Sequence, residues 1–269
     1  MAGPPLAEAG DPDFPPLQET RLKVLEGMYT AAAGMAAQQT RLDAVSSDLA
    51  NVDTTGYKSA RVAFRDLVYD DAQGYGAAKG VTIGAGAAAS SIGRSAEQGA
   101  MQDTGRSLDV ALSGQGFLQV KLADGTKALT RDGNLDADAT GRLKLHTGQL
   151  LEPPIKLPAG ADVSQVAIAA DGTVSLKGVK LGQISLVDVP AAAGLQGGPD
   201  NTFVATKGSG AIRAAAKSTT LAQGTLEASN VDEATAMTSM IEAQRAFQLA
   251  SKAITTQDQI LEIANQVKK

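Results

Sequence analysis

Two amphipathic stripes, one near each end of the chain, restrict its fold more than any other feature. Leu25, Met28, Ala32, Met35, Gln39, Leu42, Ser46 and Leu49 recur at alternating steps of three and four. Met240, Ala243, Phe247, Ala250, Ile254, Gln257, Leu261 and Ala264 repeat that spacing near the other end. Such a period lays each set along one face of a long helix, as in the seam of helices packed side by side. Ala32, Gln39, Ser46, Ala250 and Gln257 make the seam small or polar, which permits close approach and sets register but gives little stability to an isolated helix. The ends are therefore expected to pair with each other and to gain order on assembly, with Gln39 and Gln257 as register setters.

Between the stripes the pattern changes. Asn51-Val52-Asp53-Thr54-Thr55-Gly56 stops the first helix, because Asn, Asp and Gly tolerate turn and left-handed conformations; Asn51 and Gly56 are the expected turn residues. Tyr57 to Tyr69 reads as an extended or partly helical arm, and residues 70–95, dominated by Gly, Ala and Ser, as a loose loop. From about Gln98-Gly99 apolar and polar residues alternate: Leu108, Val110 and Leu112, then Leu118, Val120 and Leu122, with further candidates at 142–145, 166–169, 173–176 and 182–189. Asp124-Gly125, Asp132-Gly133-Asn134 and Asp171-Gly172 punctuate the series, as hairpin turns do in an antiparallel β domain. Glu97-Gln98-Gly99 leads into this region and Ala222-Gln223-Gly224 leads out, which suggests two strands running side by side at the base of an inserted domain. Ser229 or Asn230 is expected to cap a second helix starting near Val231, with Glu233 completing a capping box.

The expected fold class is thus α+β: N- and C-terminal helices pairing as a coiled-coil-like unit, with an inserted antiparallel β-rich domain. Its parts are a disordered, Pro-rich leader (1–23), an N-terminal helix and arm (24–69), a Gly/Ala-rich linker (70–98), the β domain (99–215), a return segment (216–230) and a C-terminal helix (231–269).

Composition disfavours several function classes. With 24 basic and 29 acidic residues, net charge -5, and neither sign gathered into a long run, the chain argues against a nucleic-acid binder, whose footprint is a basic face or arm. It has no Cys and one His, His146, so a His/Cys zinc cluster and thiolate chemistry are out of reach. Asp103 with Asp109, or Asp136 with Asp138, could pair as acid and base, yet acidic residues beside Gly are ordinary turn formers. Gly80, Gly84 and Gly86 lack a following Gly-Lys-Ser/Thr and cradle no phosphate. No apolar run approaches the roughly 18 residues of a membrane span. The expectation is a non-enzymatic protein without cofactor or metal, with no nucleic-acid partner and no direct membrane span.

Three longer motifs point further. Tyr29-Thr30-Ala31-Ala32-Ala33-Gly34-Met35, with Asp48-Leu49-Ala50-Asn51-Val52-Asp53-Thr54-Thr55-Gly56-Tyr57-Lys58, resembles the N-terminal signature of the bacterial flagellar rod, hook and basal-body axial family. Thr104-Gly105-Arg106-Ser107-Leu108-Asp109-Val110-Ala111-Leu112-Ser113-Gly114-Gln115-Gly116-Phe117 is similar to its central signature, and Leu226-Glu227-Ala228-Ser229-Asn230-Val231-Asp232 with Met240-Ile241-Glu242-Ala243-Gln244-Arg245-Ala246-Phe247 to its C-terminal one. Thr130-Arg131-Asp132-Gly133-Asn134 and Leu151-Glu152-Pro153-Pro154-Ile155 look like the distal rod branch. The leader has no counterpart in that family, whose members begin near a Leu-Glu-Gly such as Leu25-Glu26-Gly27, which makes Val24 an alternative start. The linker at 70–95 is short and Ala/Gly-rich for the distal branch, which keeps a proximal rod or hook subunit as an alternative.

The resemblance implies a structural subunit exported through the flagellar export apparatus and polymerised as a homo-oligomer in a helical tube. Its partners would be other flagellar rod and hook proteins and the surrounding ring proteins, and its place the basal body, across the periplasm. Outside that family, the alternative is a monomeric β binding module with helical flanks.

Overall fold

A computed structural model describes residues 17–67, 69–71, 82–84 and 86–266 of the chain. Two helices of 34 residues each, α1 (Leu17–Ala50) and α2 (Glu233–Gln266), bracket the β structure in sequence. α1 starts earlier than the expected onset near Leu25, and residues 17–23 are helical rather than part of a disordered leader. Gln18, Glu19, Arg21, Leu22 and Lys23 are good helix formers with no breaker among them, so the helix propagates back toward Pro15-Pro16. The remainder of the expected leader, 1–16, lies outside the described residues.

The described structure divides into two compact units. One comprises residues 17–43 of α1, 240–266 of α2 and the segment Ala63–Ser90 between them in sequence. Here the two helices run antiparallel: Arg41 Nη2 lies 3.1 Å from Glu242 Oε2, and Gly27 lies against Gln257. A Cβ placed on Gly27 would come within 2.4 Å of Gln257 Nε2, so the amide end of Gln257 rests directly on the glycine. Ala37 and Ala243 are the fully buried alanines of this unit. Close approach of small residues, rather than large apolar anchors, is therefore how the helices meet.

The described residues of the linker include strands that its composition does not suggest. Tyr69–Asp71 pairs antiparallel with Thr82–Gly84, and Ala87–Arg94 forms a two-stranded sheet with Ala60–Asp66. Gly, Ala and Ser add little to a ladder themselves, but the facing strand carries Val62 and Phe64 and supplies the β-forming side chains.

The second unit holds residues 44–62 and 91–239. Its largest sheet runs in the order Gln196–Gly197, Thr202–Val204, Lys127–Thr130, Phe117–Lys121, Leu150–Leu151, Leu143–Leu145, Leu135–Ala137. Leu186–Asp188 also pairs with Phe117–Lys121 and carries Arg213–Ala214. Val166–Ile168, Thr173–Leu176 and Val179–Gln183 form a three-stranded meander. All pairings with an assigned register are antiparallel. The expected strand at 182–189 is two strands in two sheets, broken at Ile184-Ser185, where Ile184 turns into the core and its N–H bonds to Gly172 O.

The main core gathers Val110, Leu112, Leu118, Val120, Leu135, Leu143, Leu145, Leu151, Ile155 and Val174, almost all without solvent contact. A smaller one packs Phe117, Leu129, Val187, Val189 and Phe203, with the two rings edge to face at 6.0 Å. Met101–Asp103 pairs antiparallel with Thr225–Glu227, and Val110–Ser113 with Thr220–Gln223. The chain thus enters and leaves the β domain through adjacent strands, as the matching Gln-Gly segments suggest. The return segment 216–230 is itself part of the β structure.

Candidate functional site

Within the second unit, a buried charge cluster joins three segments far apart in sequence. Lys58 follows the turn after α1, Arg131 follows Lys127–Thr130, and Glu227 ends the last strand. Glu227 is 1% exposed, Lys58 3% and Arg131 4%. Lys58 Nζ donates to Glu227 Oε1 and to the carbonyl of Glu97. Arg131 Nη1 donates to Glu227 Oε2 at 3.0 Å, while its Nε and Nη2 reach the carbonyls of Gly116 (3.0 Å) and Gly114 (2.7 Å). Gly99 N–H donates to Glu227 Oε1 at 2.8 Å. One carboxylate therefore holds two cations and a backbone donor away from water, and removing any member would strand the others. Burial pushes the Lys58 ammonium below the ordinary lysine value, against the opposing pull of Glu227.

The end of α1 and its turn belong to the same network. Asp48 Oδ1 accepts from Tyr57 Oη and from Ala60 N–H, both at 2.9 Å. Arg94 lies over the Tyr57 ring, 5.0 Å from its centroid, and its Nη1 donates to Tyr57 Oη (2.6 Å) and to Lys58 O (3.0 Å). Burial raises Asp48 above the usual carboxylate range and Tyr57 above the usual phenol value. Gly56 has φ +65°, donates its N–H to Glu227 O at 2.7 Å, and sits so close to Arg131 that a Cβ would lie 2.5 Å from that residue's carbonyl carbon. Thr55 Oγ1 donates to Asp132 Oδ1 at 2.8 Å, and Asp132, held raised by burial, also accepts from Asn134 N–H. Gly133 gives the same kind of access, since a Cβ there would overlap Val110 O.

The assembly and turn residues expected from sequence fall as follows. On α2, Ala243 is buried and Met240, Phe247, Ala250, Ile254, Gln257 and Leu261 are half-buried on one face. On α1, Met28, Met35, Leu42 and Leu49 are half-buried, but Ala32 and Gln39 are exposed, Gln39 bonding instead to Asp43 on its own helix. The side chain of Leu25 lies outside the description. Buried Ala37 shows that the inward face of α1 is rotated from the expected stripe, because small side chains, rather than the larger ones, sit at the closest approach.

Asn51 turns the chain as expected: its N–H bonds to Asp48 O, and its Nδ2 donates to Ser47 O. The cap of α2 needs correction. Asp232, not Ser229 or Asn230, accepts from Thr235 N–H at 2.8 Å, and those hydrogen bonds hold its carboxyl below the usual range. Asn230 is committed elsewhere: its Oδ1 accepts from Ser59 N–H and its Nδ2 donates to Glu97 O. Ser229 Oγ accepts from Val231 N–H. A side chain tying the return segment to the arm is not free to cap.

Periodicity could not find Lys58, Arg131 and Glu227, since none lies on an apolar stripe. Motif membership was the available signal, because Lys58 and Glu227 sit inside signature stretches and Arg131 inside the stretch that looks like the distal rod branch. His146 is exposed beside Asp136, 3.2 Å from its Oδ2. No group of three or more His, Cys, Asp or Glu side chains that could hold a metal is found among the described residues.

Comparison with known proteins matches the same three regions. The profile described as flagella basal body rod protein matches residues 28–58, that of the flagellar hook protein FlgE/F/G D1 domain 111–176, and that of the flagellar basal body rod FlgEFG protein C-terminal region 222–267. The flagellar basal-body rod protein FlgG of Borreliella burgdorferi is 38% identical over 264 residues, covering 91% of this chain and 100% of the relative. FlgG of Bacillus subtilis is 37% identical, covering 89% and 97%. The flagellar basal-body rod protein FlgF of Salmonella typhimurium is 34% identical, again covering 89% and 97%. With the signature segments meeting at one buried cluster and similarity running through nearly the whole length, the chain belongs to the flagellar basal-body rod and hook protein family.

Proposed function

We propose that this chain is a structural subunit of the flagellar basal-body rod, polymerising into a helical tube that transmits torque to the hook. The observation that carries the reading is similarity over nearly the full length to proteins named as rod subunits. It operates in assembly with other flagellar components. Distal rod is the favoured position, since FlgG proteins are among the relatives; a proximal rod or hook subunit is the second reading, kept open by a Salmonella relative that is a different basal-body rod protein, FlgF.

The mechanism is mechanical. Terminal helices meeting through small residues form the inner layer, where Met28, Met35, Leu42, Leu49, Met240, Phe247, Ile254 and Leu261 pack with neighbours, and the β domain contacts further subunits and the rings outside. A helix pair with so few large buried anchors gains order by mass action as copies add. The location is the basal body across the periplasm, after passage through the export apparatus. No helix among the described residues is long and apolar enough to cross a membrane.

The test is localisation with genetics. An antibody should detect the protein in purified hook-basal bodies, and deletion of its gene should abolish swimming. A protein missing from that structure, in a deletion strain that swims normally, would defeat the proposal.

A further inference from the structure

Beside the charge cluster, inside the second unit, lies a cavity of about 230 Å³. Its walls differ in character. Phe117, Val189, Leu195 and Phe203, on the smaller core, make an apolar side, and Lys58, Arg94 and Arg131 make a cationic one. Lys58 and Arg131 share the single carboxylate of Glu227. Asp188, also in the wall, is matched by Arg213 at 2.8 Å. Arg94 differs: only its Nη1 is engaged, donating to the Lys58 carbonyl and to the Tyr57 phenol, which in turn donates to Asp48, while its Nε and Nη2 have no protein acceptor among the described residues. Asp48 lies near enough to feel this charge, but a guanidinium with N–H groups still to place in the wall of a partly apolar cavity suits an anion with a hydrophobic body. The volume fits one side-chain-sized group, since a dry apolar cavity of roughly 150 Å³ accepts benzene.

We propose that this cavity is a binding site for a carboxylate borne on an apolar body of about the size of a phenyl ring, the ring seated against Phe117 and Phe203 and the carboxylate on Arg94. The inference goes beyond a rod-subunit role and is tested without assembly, so either can fail alone. The ligand could be a free small acid or an aromatic residue followed by an acidic one in a partner chain; the two share the chemistry.

The full-length chain, labelled for amide NMR, is titrated with 3-phenylpropanoate, with 3-phenylpropanamide, and with a doubly blocked tetrapeptide containing Phe-Asp. Saturable shifts centred on Phe117, Val189 and Phe203 are expected with the acid, and at least tenfold weaker binding with the amide. Arg94→Gln should weaken the acid tenfold or more and leave the amide unchanged. Ala192→Phe, which fills the cavity while keeping Arg94, should abolish binding of both, and serves if Arg94→Gln fails to fold. Peptide binding as well as acid binding assigns the site to a protein partner; acid binding alone assigns it to a small molecule. Absence of saturable shifts with both the acid and the peptide, or equal affinity for acid and amide, overturns the proposal.

Discussion

Glu227 illustrates how much one residue can carry. Its carboxylate accepts from Lys58, Arg131 and Gly99, and its carbonyl accepts from Gly56. Glu227→Ala leaves two buried cations without a counterion, for which a loss of about 3–5 kcal/mol is expected in urea denaturation of the full chain. Asp132 acts in the opposite electrostatic sense. Burial raises its folded-state pKa above the ordinary 3.8, so the folded chain takes up this proton first as pH falls. Its contribution to stability therefore improves on acidification from neutrality toward 3.8, and is worst where it is fully charged. Asp132→Asn keeps an oxygen for Thr55 and Asn134 but removes the titration. Relative to the variant, the wild type should gain stability as pH is lowered through that window, measured by denaturation at a series of pH values.

At the scale of elements, the helices divide into what pattern can and cannot reveal. The α2 stripe from Met240 to Leu261 matches one half-buried face, because a three-four repeat with Phe, Ile and Leu marks a face whatever it packs against. The α1 stripe is less informative: its densest stretch, Thr30 to Ala37, is nearly all small, and hydropathy barely separates one face of an Ala/Gly helix from another. Caps depend on competition for partners. Asn230 is as good a cap as Asp232 by residue type, but its amide bonds Ser59 and Glu97, contacts invisible to local spacing. Asp232→Ala should lower the midpoint of urea denaturation at neutral pH, because the first turn of α2 loses its cap. Because its folded pKa is depressed, that contribution is present above the unfolded value of 3.8 and disappears as pH falls through the lower folded value.

For the whole molecule, fold class was legible because the period changes from helical to alternating and back, and Asp-Gly turns mark the hairpins. Strand partners were not, because register across long separations depends on which buried faces meet. The charge cluster was hidden for the same reason: 169 residues separate Lys58 from Glu227. Phe247→Asp provides a test at this scale. It should block polymer formation, scored by sedimentation, while amide exchange in the β core stays protected; loss of both together would contradict an inserted domain with its own core. The wide spacing of the cluster also sets an order of events in time. A polypeptide synthesised amino end first presents Lys58 early, then Arg131, and must wait for Glu227 before either charge can leave water. The β domain can collapse in stages, but its latch closes only when the last strand arrives, so the chain stays open until just before its final helix is made.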